Sequence, residues 1–181
     1  MQRKNFDRYR AIQFGVEGFE NDSHPTDADD AFWAQTISLN VGSTRKVTRA
    51  AVPHLVASAR AAGGASIVNL ASLAGRKGGH AGSIAYSTAK GAILTFTRAL
   101  ATELGPQGIR VNALAPGLIL GTSFHNTHTS PESARATVAG IPLGRGGSAD
   151  DVARAAVYLA SEFDGFITGA TLDINGGVYS C

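Results

Sequence analysis

The 181-residue chain holds a single cysteine, Cys181 at its last position. An internal disulfide and a cysteine-based zinc site are thereby excluded. Charged residues are also scarce, at 17%, against about 25% in an average soluble protein. The net charge of +2 is too small to mark a nucleic-acid partner. No apolar run is long enough to span a bilayer: the stretch at 50–59 is broken by Pro53, His54 and Ser58. Met1-Gln2-Arg3-Lys4-Asn5-Phe6-Asp7 has no apolar core of a secretory signal, so the expected location is cytoplasmic, with no membrane partner. Glycine, by contrast, is abundant at 22 residues but follows no Gly-X-Y period. With 44% hydrophobic residues the chain has enough apolar material to bury a core.

Two regimes divide the chain. Residues 1–25 are polar, acid-rich from Glu17 onward, and show no element pattern. At Thr26 the pattern changes. Thr26 with Asp29 three residues later reads as a capping box, and Asp27 and Asp30 suit the positive end of a helix dipole. A helix is expected over 27–60, with Phe32, Gln35, Leu39 and Val47 spaced for burial and Pro53 kinking or dividing it. Phe32 and Trp33 are expected in the core. Gly63-Gly64 stops the helix.

The remaining chain alternates strand and helix. Ser66-Ile67-Val68-Asn69-Leu70 reads as a strand and is followed by a glycine-dense loop. Helical spacing resumes near Ser83 and ends at Gly105-Pro106. A second strand covers 109–115, a short helix 131–139, and a helix follows the Ser148/Asp151 capping pair. Thr171-Leu172-Asp173-Ile174 forms a last strand. This rhythm predicts a single α/β domain built on a doubly wound parallel sheet.

Tyr86 and Lys90 stand four apart in a helical stretch, hence one turn apart on one face. A free tyrosine titrates near pH 10 and is a poor base at neutrality. Lowering that value by about three pH units requires about 4 kcal/mol of differential stabilisation, part of which a nearby ammonium supplies. Alone, the pair reads more readily as an exposed helix pair. Ser72 adds context: it follows the first strand, at the carboxyl end where parallel sheets bind ligands, fourteen residues before Tyr86. His125 and His128 lack a third ligand nearby, so no metal site is expected.

Several motifs stand in one order: Asn40-Val41, Ile67-Val68-Asn69-Leu70-Ala71-Ser72, Tyr86-x3-Lys90, Gly108-Ile109-Arg110-Val111-Asn112-Ala113-Leu114-Ala115-Pro116-Gly117, and Thr168-Gly169-x3-Asp173-x2-Gly176-Gly177. Together, over 26–181, they resemble the short-chain dehydrogenase/reductase family. The resemblance implies a Rossmann-like fold and hydride transfer between NAD or NADP and a small alcohol or carbonyl substrate. It implies Tyr86 as general acid/base, Lys90 lowering its pKa and holding the nicotinamide ribose, and Ser72 orienting the substrate oxygen. Asn40 would sit at a helix distortion and hold a relay water near Lys90. Pro116, Gly117 and Ile119 would lie along the nicotinamide, Thr122 would touch its carboxamide, and residues 121–145 would form a substrate lid. The helix carrying Tyr86 would pack on a partner subunit in a homo-oligomer, a dimer or tetramer; Ala85, Ala89, Ala92 and Ala99 suit close packing there or on the chain's own sheet.

One departure is large. The family's Thr-Gly-x3-Gly-x-Gly turn, which brings backbone N–H groups to the pyrophosphate, is not found in this sequence. Roughly 75 to 90 residues, about three βα units, would restore it. An N-terminally truncated domain is therefore expected, with 26–181 as the catalytic and substrate-binding part. Gene truncation, frame shift or divergence of the N-terminus each account for it. The alternative to an active enzyme is a remnant or binding module that no longer holds dinucleotide.

Overall fold

The computed structural model describes residues 30–122, 130–161 and 165–180. Three strands, β1 (Ala65–Leu70), β2 (Ile109–Pro116) and β3 (Thr171–Ile174), form one sheet in the order β1-β2-β3, with both pairings parallel. Each crossover is helical. Helices α3 (Leu73–Lys77) and α4 (Ile84–Leu104) join β1 to β2, and α5 (Pro131–Ala139) and α6 (Ala149–Ala160) join β2 to β3. Two further helices, α1 (Asp30–Ile37) and α2 (Ser43–Ala62), precede the sheet.

Period-two alternation sends strand side chains to two separate cores. Ile67 and Val111 face α2 and α4, meeting Leu55, Leu100 and Leu104. Val68 and Leu114 face the other way, onto Val152 and Leu159 of α6. Helices thus cover both faces, the doubly wound arrangement expected from the alternating pattern. Polar side chains stitch the layers. Asn112, fully buried, donates to Ile167 O at 2.8 Å and accepts from Ala170 N at 3.0 Å, holding the approach to β3.

The elements end where local chemistry dictates. Ser148 caps α6, its hydroxyl accepting from Asp151 N while the Asp151 carboxylate accepts from Ser148 N, the expected capping box. Arg145 hydrogen-bonds to Asp151 as well, and this, with the two bonds from Ser148, holds the carboxyl well below the usual range. Thr26 and Asp29 lie outside the described residues.

Three departures from expectation appear, the first two in the opening helical stretch. Its interruption falls at a π-turn, Ser38–Gly42, around Asn40 where the resemblance implies a distortion, and the helix is not divided at Pro53, which sits inside α2. A proline removes one donor, and a twenty-residue helix packed on the sheet tolerates that loss. Trp33 is 39% exposed, not in the core, and Gln35 is exposed; Phe32 is half-buried. The face of α1 that goes inward carries Thr36 instead. Finally, the glycine-dense loop after β1 contains the single-turn α3, which five residues with two glycines around them do not announce.

Candidate active site

The carboxyl ends of the three strands lie side by side. Leu70 pairs in register with Leu114, and Pro116 with Ile174. Ser72, Pro116-Gly117 and Asn175 therefore emerge along one edge of the sheet. Ser72 is the N-cap of α3; its Oγ accepts from Ala74 N at 3.1 Å. With one lone pair engaged, Ser72 keeps its hydroxyl proton to donate elsewhere.

Helix α3 lies against α4 at a point where no side chain fits. A Cβ on Gly75 would sit 2.5 Å from the Lys90 carbonyl carbon and 2.7 Å from Gly91 N. Glycine at 75 is what lets the Ser72 turn rest directly on the backbone that carries Lys90. The loop before α4 is equally tight: Gly79, at φ 72, lies over the hydroxyls of Ser83 and Ser87, which bond to each other at 3.0 Å. Ser83 also accepts from His80 N and donates to His80 O.

Tyr86 and Lys90 occupy the first two turns of α4, as their spacing requires. Lys90 is 4% exposed and donates to Leu70 O at 3.1 Å, so its ammonium reaches the end of β1. It lies 5.6 Å from the centroid of the Tyr86 ring. Among the described residues no carboxylate pairs with it. Burial alone lowers its pKa from 10.5 to about 8.

Asn40 lies in the π-turn, which packs on α4. The extra residue there leaves carbonyls out of register, and side chains take them up: Asn40 Nδ2 donates to Thr36 O, Ser43 Oγ to Leu39 O and Thr44 Oγ1 to Asn40 O. Asn40 is 2% exposed, and its Oδ1 is buried with no partner among the described residues. An orphaned buried acceptor of this kind suits a bound donor such as water.

On the β3 side of this edge, Gly117 N donates to Ile174 O at 2.9 Å, and a Cβ on Gly117 would crowd Asn175 Cβ at 3.1 Å. Ile119 is buried in the α6-side core. Its neighbours Leu118 and Leu120 bond to Gly147, which turns the Ile119 amide away from Gly147. Any contact Ile119 makes with a ligand thus comes from its backbone. Thr122 Oγ1 donates weakly to Ile119 O at 3.5 Å. A cavity of about 510 Å³ opens nearby between Leu118, Ile141, Pro142, Asn175 and Tyr179; Tyr86 and Lys90 do not line it. Ala85 and Ala89, two of the four small residues on α4, are fully buried within the chain itself, whereas Ala99 is exposed. Among the described residues no acid–histidine–cysteine cluster of metal-binding size occurs, and no helix is long and apolar enough to cross a membrane. His125 and His128 lie outside them.

The arrangement defines a class: a parallel α/β sheet with a serine at its carboxyl edge, and a tyrosine and a buried lysine on the helix that packs against that turn. The family model described as enoyl-(acyl carrier protein) reductase matches residues 12–179. A short-chain type dehydrogenase/reductase of Sinorhizobium fredii is 37% identical over 153 residues, 84% of this chain and 58% of that protein. The (3R)-3-hydroxyacyl-CoA dehydrogenase of Mus musculus is 35% identical over 175 residues, 96% of this chain and 65% of that protein. A solved NADH-dependent reductase responsible for alginate metabolism superposes with a TM-score of 0.81 at 31% identity, covering 94% of this chain and 64% of that one. The chain belongs to the short-chain dehydrogenase/reductase family. It spans about six-tenths of the length of these relatives.

Proposed function

We propose that residues 26–181 form the catalytic and substrate-binding part of an NAD(P)-dependent oxidoreductase acting on an alcohol or its carbonyl partner. The observation that carries this reading is Lys90: a buried ammonium with no carboxylate among the described residues, one turn from Tyr86 and bonded to the strand end beside Ser72. Structure alone gives a protein little reason to bury an unpaired cation. A group that needs a proton moved gives one.

The residues present fit a nicotinamide nucleotide at this edge. Lys90 has donor capacity left after Leu70 O, Asn40 Oδ1 lacks a donor among the described residues, and the Ile119 amide is turned away from Gly147. Lys90 would hold the ribose, and Pro116, Gly117, Ile119 and Thr122 would line the ring. What a bound nicotinamide supplies is hydride exchange with the substrate carbon. Tyr86 Oη takes the alcohol proton in oxidation and returns it in reduction. The Lys90 ammonium favours the phenolate form that this needs. Ser72 donates its hydroxyl proton to the substrate oxygen, and Asn40 Oδ1 anchors a water that relays protons toward Lys90. A homo-oligomer belongs to the same reading, supported by the exposed Trp33 on α1 and Ile84 at the start of α4.

A second reading, a remnant or binding module without redox activity, is favoured by one observation: the sequence carries no Thr-Gly-x3-Gly-x-Gly turn for the pyrophosphate. Calorimetric titration of the folded chain with NADH and NADPH separates the two. Micromolar binding supports the enzyme, and no binding supports the remnant. Given turnover, Tyr86→Phe should abolish it with the fold unchanged; unaltered turnover overturns the assignment of Tyr86.

A further inference from the structure

Helix α3 is five residues long, a single turn that cannot hold itself. Its N-cap is Ser72, so whatever fixes α3 fixes Ser72. Gly75 supplies contact with α4 but only on one side. The other side is held by Arg76. Its Nη2 donates to Asp173 Oδ2 at 3.0 Å, and its guanidinium lies 5.4 Å from the centroid of the Tyr179 ring. Both charged side chains are about four-fifths shielded, at 17% and 21% exposure, so the attraction is less screened than at an open surface. Tyr179 is not a loose tail. Asn175, itself buried, donates from Nδ2 to Tyr179 O at 3.0 Å and accepts from Gly177 N at 2.9 Å, closing the turn that brings the tyrosine over Arg76.

We infer that the segment from Asp173 to Tyr179 clamps Arg76 and thereby sets the position of Ser72, making Arg76 a positioning residue for the site. The importance of Ser72 rests on the oxidoreductase reading; the clamp itself does not. A planar guanidinium suits both partners at once, meeting a carboxylate through an edge N–H while its face lies toward a ring.

Hydrogen–deuterium exchange on the whole chain tests the clamp without cofactor or turnover. Arg76→Met and Tyr179→Leu should each speed amide exchange over residues 73–79 by about tenfold, with the amides of β1 and β2 unchanged. Tyr179→Phe keeps the ring and should restore native exchange, and Arg76→Lys should restore it in part. The inference is overturned if residues 73–79 exchange as before in both disruptive variants. It is equally overturned if β1 and β2 speed up in step with them, or if Tyr179→Phe is as disruptive as Tyr179→Leu. The titration with NADH and NADPH decides the oxidoreductase reading separately, so either conclusion can fail alone.

Discussion

Replacing Lys90 by methionine should make the protein more stable at neutral pH and less stable at high pH. The folded chain releases the Lys90 proton near pH 8, whereas the unfolded chain keeps it to 10.5. Below pH 8 the folded state holds a buried cation at a cost of about 3 kcal/mol. Between these values the unfolded state binds more protons, so the native protein gains that stability as pH rises, and above 10.5 the penalty is gone. Methionine matches the volume of lysine and carries no charge. It forfeits the bond to Leu70 O, worth about 1 kcal/mol. The variant should therefore be more stable than the native chain by about 2 kcal/mol at pH 7 and less stable by about 1 kcal/mol above pH 10.5. Urea denaturation of both proteins at the two pH values measures the difference. A variant less stable at pH 7, or a difference that does not change sign with pH, refutes the reasoning.

Three other perturbations test the framework. Gly75→Ala drives a methyl into the α4 backbone and should cost about 3 kcal/mol or more, read as a fall in thermal midpoint. Asn112→Leu orphans Ile167 O and Ala170 N together and should cost about 3 kcal/mol, with exchange rising first at β3. Ser148→Ala removes the hydroxyl half of the α6 cap and should cost about 1 kcal/mol by denaturant titration, while Ser148→Thr should cost far less.

The architecture was legible because it rests on local pattern. Apolar runs bounded by glycines gave β1 and β2, and the 3.6-residue period gave α4. The pair Ser148/Asp151 gave the start of α6, since a capping box needs only residues three apart. The spacing of Tyr86 and Lys90 put them on one helix face for the same reason. Where expectation failed, tertiary contact was the deciding term. Pro53 left α2 intact because packing on the sheet outweighs one lost donor. Trp33 is exposed because α1 turns Thr36 inward. The single turn of α3 has no periodicity to read; it exists because Gly75 permits contact with α4 and Arg76 finds Asp173 ninety-seven residues away.

The sequence by itself thus determined the alternation of strands and helices, the residues at the sheet's carboxyl edge and the family to which they belong. Only the tertiary structure decided that, among the described residues, Lys90 is buried without a carboxylate and Asn40 Oδ1 has no partner, and that the C-terminal turn grips α3. The reason is physical. Propensity, capping and helical facing act between near neighbours in the chain, whereas burial, desolvation and the meeting of Arg76 with Asp173 arise when distant segments are packed against one another.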